Sequence, residues 1–384
     1  MPYLILLIFL QMLPATLVVP AIRPLFASLH GGNVSAMHAF MSINMAAAVL
    51  TAPWIGRIVE RTRRPGRIIA LLALADAVLL VMIALPLPLP VVIALRFAEG
   101  AAHVGASTML MHETARRARL AREGKTMGLA GAAIIFAIAA GNALGGATVT
   151  FGPFTPFAVA ACIAATVAIC ALRLRTLPGV PLADVAVAPR WQDVALPVSA
   201  AFVERFAVGC IVVSFALFAH AIHDLSDAEV GMHFFALTLT FAIAVAPLGR
   251  LADRMSRQTL LTAGALTYGA SLVAIAVVPR HALLGAMIAA GTGAAMMFAP
   301  ALASIAAIGQ QGRGRAMALF NAAGCLGMML GPIVSGILIA LLRESGPRAY
   351  SAPIVVAGAT AMMWVIVTTA SRARQSRATV LSST

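Results

Sequence analysis

Charge is scarce in this sequence. Asp, Glu, Lys and Arg make up 10% of its 384 residues, against about 25% in a soluble domain. With 61% of the residues hydrophobic, a soluble core could not hide the apolar surface, so lipid is the expected solvent. Cysteine is also rare. Cys162, Cys170, Cys210 and Cys325 lie inside apolar runs, with no CxxC and no Cys/His pairing. They read as small buried hydrophobes, which excludes a disulfide framework, and no metal is expected. No P-loop, HExxH or GxSxG motif occurs, which argues against ATP as a direct energy source. No nucleophile and base converge, so neither enzymatic chemistry nor a cofactor is expected. The N-terminal stretch MPYLILLIFLQML lacks a basic leader and a small-residue cleavage site, and reads as a first span rather than a removed signal.

What is present is apolar sequence in long runs. Twelve segments stand out, near 3–26, 37–59, 67–87, 90–112, 126–149, 154–174, 194–221, 230–250, 258–279, 281–308, 316–342 and 350–371. About 20 apolar residues span a bilayer as a helix, and a helix satisfies its own backbone hydrogen bonds in lipid. A barrel would alternate polar and apolar in short segments, and these runs are continuous. The predicted fold class is an all-α membrane protein with twelve transmembrane helices.

The formal charge of +14 could suggest nucleic acid, but its distribution points to a membrane. With the N-terminus placed in the cytoplasm, 21 of the 27 Lys and Arg fall in cytoplasmic loops and the tail, four fall outside, and Arg96 and Arg205 lie within spans. This positive-inside bias predicts both termini in the cytoplasm, with no role for nucleic acid. The alanine- and arginine-rich usage suggests a GC-rich bacterium, and the expected location is the bacterial inner membrane. The stretch 175–193, rich in proline, reads as a linker between an N-terminal bundle (1–174) and a C-terminal bundle (194–384).

The two halves repeat. APWIGRIVER (52–61) matches APLGRLADR (246–254), REGKTMGL (122–129) matches RGRAMAL (313–319), and GNALGG (141–146) matches GPIVSG (331–336). The offsets are 193 residues from Gly56 to Gly249 and 190 from both Gly124 to Gly314 and Gly141 to Gly331. Three matches in order at one spacing indicate a parallel duplication, as in two-bundle secondary transporters.

These same residues resemble the major facilitator superfamily over essentially the whole chain, and the first third looks most like the twelve-span drug:proton antiporters. Gly56, Glu60 and Arg61, and again Gly249, Asp253 and Arg254, resemble its loop motif, with Glu60 in place of the usual Asp. RFAEG resembles its Arg-x-x-Gln-Gly motif, with Glu99 in the Gln position. GNALGG resembles the antiporter motif, with Asn142 where Pro is usual, and GMMLGPIVSG supplies that Pro as Pro332. The resemblance implies two pseudo-symmetric six-helix bundles and proton-coupled efflux of a small, partly apolar organic compound by a monomer. It also implies gating by Gly56, Glu60, Arg61, Gly249, Asp253, Arg254, Gly141, Asn142, Gly145, Gly331 and Pro332. Glu60 would accept from the N-terminus of span eleven, where the helix dipole favours an anion. Glycines such as Gly141, Gly145 and Gly331 also suit tight helix packing.

Arg96, Glu99 and His103 are the leading candidates for a proton or substrate site. Their i, i+3, i+7 spacing puts them on one helix face, and an intramembrane charge, at about 2.5–3.5 kcal/mol, marks function by default. A static ion pair locking helices together is the structural alternative. Glu204 and Arg205 lie in span seven about 100° apart, so only one need face the cavity. By resemblance, spans one, four, seven and ten line that cavity, so a span-seven charge could join Arg96 and Glu99 across the bundles. Asp76 in span three reads as a structural partner to a neighbouring helix. Gln11, Asn44, Met296 and Met297 are weaker candidates for the substrate cavity. An importer or facilitator of a small organic anion, with Arg96 or Arg205 as carboxylate clamp, is the second reading; a membrane receptor or membrane-embedded enzyme is a remote third.

Overall fold

The computed structural model describes residues 2–61, 64–117, 123–174, 190–308 and 310–382. The side chains at 52–53, 55–61, 115, 123–128, 253, 306, 310–314 and 371–382 lie outside the description. Among the described residues the chain is helical, with no strand. The first helix, α1 (Pro2–Leu29), is interrupted by a 3-10 turn at Val19–Ala21. It is followed by α2 (Val34–Arg61), α3 (Pro65–Ile83), α4 (Leu89–Arg117), α5 (Glu123–Val149) and α6 (Thr155–Ala171). The second half holds α7 (Trp191–His223), α8 (Asp227–Arg254), α9 (Arg257–Ile275), α10 (Arg280–Ala306) and α11 (Gln310–Leu341). A 3-10 segment at Arg343–Ser351 leads into α12 (Ala352–Ser382). Eleven spans are long and apolar enough to cross a membrane, and Thr155–Ala171 is a shorter apolar helix. Most of the stretch read as a linker, 175–189, lies outside the described residues.

Local chemistry sets several of the boundaries. Asn33 Oδ1 accepts from the Ala36 amide at the start of α2. Ser226 and Glu229 form a reciprocal capping box at the start of α8, satisfying two donors that the first turn leaves orphaned. Pro65 occupies the first turn of α3, where a missing N–H costs nothing.

The packing follows the duplication. In the first half α1 contacts α4, α5 and α6, α2 contacts α4, and α3 contacts α4 and α6. Six positions later the same pairs recur: α7 with α10, α11 and α12, α8 with α10, and α9 with α10 and α12. These are two pseudo-symmetric six-helix bundles. They meet chiefly along α2–α11 and α5–α8, two contacts that the pseudo-symmetry exchanges. Small residues allow both approaches. A Cβ on Gly231 of α8 would lie 2.6 Å from the Cα of Gly146 on α5, and one on Gly336 of α11 would lie 3.2 Å from the His38 Cβ on α2.

The end of the molecule away from the chain termini is closed by polar contacts between bundles. Arg23 of α1 grips Asp227 at the start of α8 with two bonds, Nε to Oδ1 at 2.9 Å and Nη2 to Oδ2 at 2.8 Å. His38 Nε2 meets the Ser214 hydroxyl of α7 at 3.1 Å.

Candidate functional site: a buried polar cluster and the cavity between the bundles

Six polar side chains from four helices gather inside the first bundle. Arg96, Glu99 and His103 of α4 share one face and are 2%, 3% and 6% exposed. Gln11 comes from α1, Asn44 from α2 and Asp76 from α3, all buried. Arg96 Nη1 donates to Glu99 Oε2 at 2.7 Å, and Asn44 Nδ2 donates to the same oxygen at 2.7 Å. The Arg96 guanidinium also lies over the Phe40 ring, 4.6 Å from its centroid. A second group forms around Asp76, whose Oδ2 meets His103 Nδ1 at 2.8 Å and accepts from Gln11 Nε2 at 3.2 Å. Gly100 makes the first group possible. A Cβ there would lie 2.6 Å from the Asn44 carbonyl oxygen and 2.7 Å from its Nδ2, so only glycine lets α2 bring Asn44 onto Glu99.

The two groups touch, because donor atoms of Asp76, Glu99 and His103 lie within 4.8 Å of one another. Such spacing is within reach of one shared cation, and the Arg96 guanidinium already supplies a positive charge to Glu99. A buried charge without a partner costs several kcal/mol, about 3–5 when one member of a buried pair is removed. The Arg96–Glu99 pair avoids that cost for its own two charges.

The second bundle contributes a different pair. Glu204 and Arg205 are bonded to each other, Arg205 Nε to Glu204 Oε2 at 3.0 Å. Both line a cavity of about 100 Å³ between the bundles, walled by Met45 of α2, Phe298 of α10, and Phe320, Asn321 and Met328 of α11. Glu204 is buried, whereas 42% of the Arg205 side chain is exposed. The guanidinium lies 5.8 Å from the Phe298 ring centroid. Ligand pockets run to about 300–1,000 Å³, so the cavity in this state is too small for a whole drug-sized compound.

Several sequence expectations change here. Glu204 and Arg205 both line the cavity, with the flexible arginine folded back onto its neighbour. They form no ion pair with Arg96 or Glu99 among the described residues, so the expected network across the bundles is absent in this state. Gln11 and Asn44 join the buried cluster instead of the cavity wall. Met297 is buried and Met296 packs its backbone against Gly264 of α9, leaving the next residue, Phe298, on the cavity. Asp76, read as a structural partner, holds His103 directly. Phe320, Cys325 and Met328 were missed. Their i, i+5, i+8 spacing with Asn321 and Gly324 defines one face of α11, a signal that the apolar run concealed.

Among the gating candidates, Gly141 and Gly145 meet the α1 backbone at Leu13 and Leu17, and Gly331 meets Phe206 and Gly209 of α7. Pro332 packs on Gly209, and the buried Asn142 offers its carbonyl close to Gly231. A Cβ on Gly249 would meet nothing within 4 Å among the described residues, and Arg254 is exposed. The side chains of Gly56, Glu60, Arg61 and Asp253 lie outside the described residues.

Comparison with known proteins agrees with this architecture. At the level of sequence no curated protein matches. Among solved structures, a bacterial homologue of the human lysosomal transporter Spinster, captured inward-facing and occupied, superposes with a TM-score of 0.81 at 15% identity, covering 98% of this chain and 96% of its own. The nucleoside transporter NupG gives 0.71 at 12% identity, over 96% and 98% of the two chains. A D-xylose–proton symporter gives 0.70 at 15%, over 94% and 96%. The family profile matches twice, over residues 4–219 and 197–382. With two six-helix bundles, a buried polar cluster and this match along the chain, the protein belongs to the Major Facilitator Superfamily.

Proposed function

We propose that this transporter moves a small, partly apolar organic compound out of the cell in exchange for protons, by rocking its bundles (1–174 and 194–384) about the central cavity. The observation that carries this reading is the buried cluster of Arg96, Glu99, His103, Asp76, Gln11 and Asn44. Ionisable side chains held inside a lipid-embedded bundle are costly, and proton relays are one of the roles that retain them. The cavity has a fitting character: Phe298, Phe320 and Met328 offer an apolar, adaptable wall, and Glu204 and Arg205 offer charge.

The positive-inside bias supports termini in the cytoplasm, and a bacterial inner membrane is taken as the setting. The end sealed by Arg23–Asp227 and His38–Ser214 then faces outward, and this state is closed to the outside. The functional unit is taken as a monomer.

Drug tolerance on overexpression tests direction. Efflux predicts raised tolerance to at least one amphipathic compound in a panel and reduced accumulation of it. Raised accumulation would reverse the direction. A second reading, uptake of a small organic anion, draws on the half-open Arg205 guanidinium over Phe298. Under it, Arg205→Gln abolishes uptake of carboxylates while sparing neutral compounds.

A further inference from the structure

The six polar groups of the cluster are unequally satisfied. One Glu99 oxygen takes two donors at 2.7 Å and its charge is balanced by Arg96, whose Nε alone in this group is buried without a partner among the described residues. Asp76 and His103 differ. Asp76 is fully buried and forms no ion pair with a Lys or Arg among the described residues; its close partners are Gln11 and the His103 ring. Three atoms of this second group are buried with no hydrogen-bond partner among the described residues: Asp76 Oδ1, Gln11 Oε1 and His103 Nε2.

Charge counting separates the groups further. Arg96 and Glu99 cancel. Asp76 leaves the cluster one negative charge in excess when His103 is neutral, and none when His103 is protonated. An uncompensated charge in a low-dielectric interior is expensive. A neutral imidazole has one N–H, and Asp76 Oδ2 at 2.8 Å from Nδ1 places it there. Nε2 is then the nitrogen free to gain or lose a proton.

We infer that His103, oriented by Asp76, which Gln11 braces in turn, is the group that carries the exchanged proton, and that Arg96–Glu99 is a fixed electrostatic clamp beside it. This rests on the proton-coupled reading above and gives that proton an address. In the cycle, Nε2 takes a proton from water on one side, turning the anionic cluster neutral. After the bundles rock, Nε2 returns the proton to the other side and the anion is restored. The Nδ1–H bond to Asp76 stays intact throughout. Besides Asp76 from α3 and Gln11 from α1, the groups facing His103 are Arg96 and Glu99 of its own helix. The neighbouring α2 brings Asn44, and α5 has no ionisable side chain over Leu129–Val149.

The test uses the full-length protein labelled with ¹⁵N at its eight histidines, followed by NMR across about pH 5–8. The expected result is one ring that keeps its Nδ1 proton throughout and gains a proton at Nε2, with its signal absent in His103→Gln. Asp76→Asn removes the carboxylate and should change the tautomer ratio of that ring. The paired change Arg96→Gln with Glu99→Gln should leave a titrating His103. Survival of the titrating signal in His103→Gln, or a His103 ring with one protonation state over the whole range, overturns the assignment. Loss of His103 titration in the paired variant would do so too. Proteoliposomes carrying a trapped pH-sensitive dye keep the two claims apart. Compound movement without proton movement in the wild type would sink proton coupling, whatever the histidine spectrum shows.

Discussion

At the scale of single residues, the ion pair Arg96–Glu99 sets the first expectation. Glu99→Gln alone strands a buried guanidinium and should cost about 3–5 kcal/mol of stability, read as a lowered thermal midpoint in detergent. Arg96→Gln with Glu99→Gln removes both charges and should recover most of that loss. Equal losses in the single and paired variants would contradict the clamp. The i, i+3, i+7 spacing made Arg96, Glu99 and His103 legible in the sequence, because helical geometry alone puts them on one face. Asp76 was harder to place. A single acid in LALADAVLL does not reveal which way α3 is turned, so its bond to His103 appears only once the helices are packed. Glu204 and Arg205 show another limit. Backbone angle puts them about 100° apart, but a long side chain can fold back across that angle.

At the scale of helices, the small-residue contacts between bundles govern closure. Gly231→Leu would drive a side chain into Gly146 of α5, and the two helices could no longer approach as they do here. That variant should favour a state open at this end. Attack by a membrane-impermeant thiol reagent on a cysteine at Ser214, in a background without the native cysteines, should rise several-fold. Unchanged labelling would show that α5 and α8 already part freely. The duplication of GNALGG and GPIVSG revealed that tight packing recurs in the halves, and the twelve apolar runs located the spans. Neither named the partners. Gly141 and Gly145 serve α1 within their own bundle, whereas Gly146 serves α8 across the interface. One residue of helical rotation separates the two roles, and sequence periodicity does not carry that rotation. The helix ends were less legible than the helices, since α12 continues to Ser382 beyond the apolar run that ends near 371.

At the scale of the whole molecule, Arg23–Asp227 joins the two bundles at the end away from the chain termini, beside His38–Ser214. The pair is partly open to water, at 22% and 17% side-chain exposure. A worth of about 1 kcal/mol is therefore reasonable, corresponding to roughly a fivefold shift between states. Asp227→Arg should raise the open population by at least that factor, measured by distance distributions between spin labels on the two bundles. Arg23→Asp with Asp227→Arg should restore closure, and failure of the swap would reduce the pair to a local helix cap.

Proton movement measured against compound movement tests the account most directly. The full-length protein would be reconstituted with a pH-sensitive dye inside the vesicles, and gradients of compounds from the panel imposed. The expected result is compound-driven proton movement in the wild type that disappears in His103→Gln. Compound movement with no proton movement in the wild type would contradict antiport and leave a facilitator.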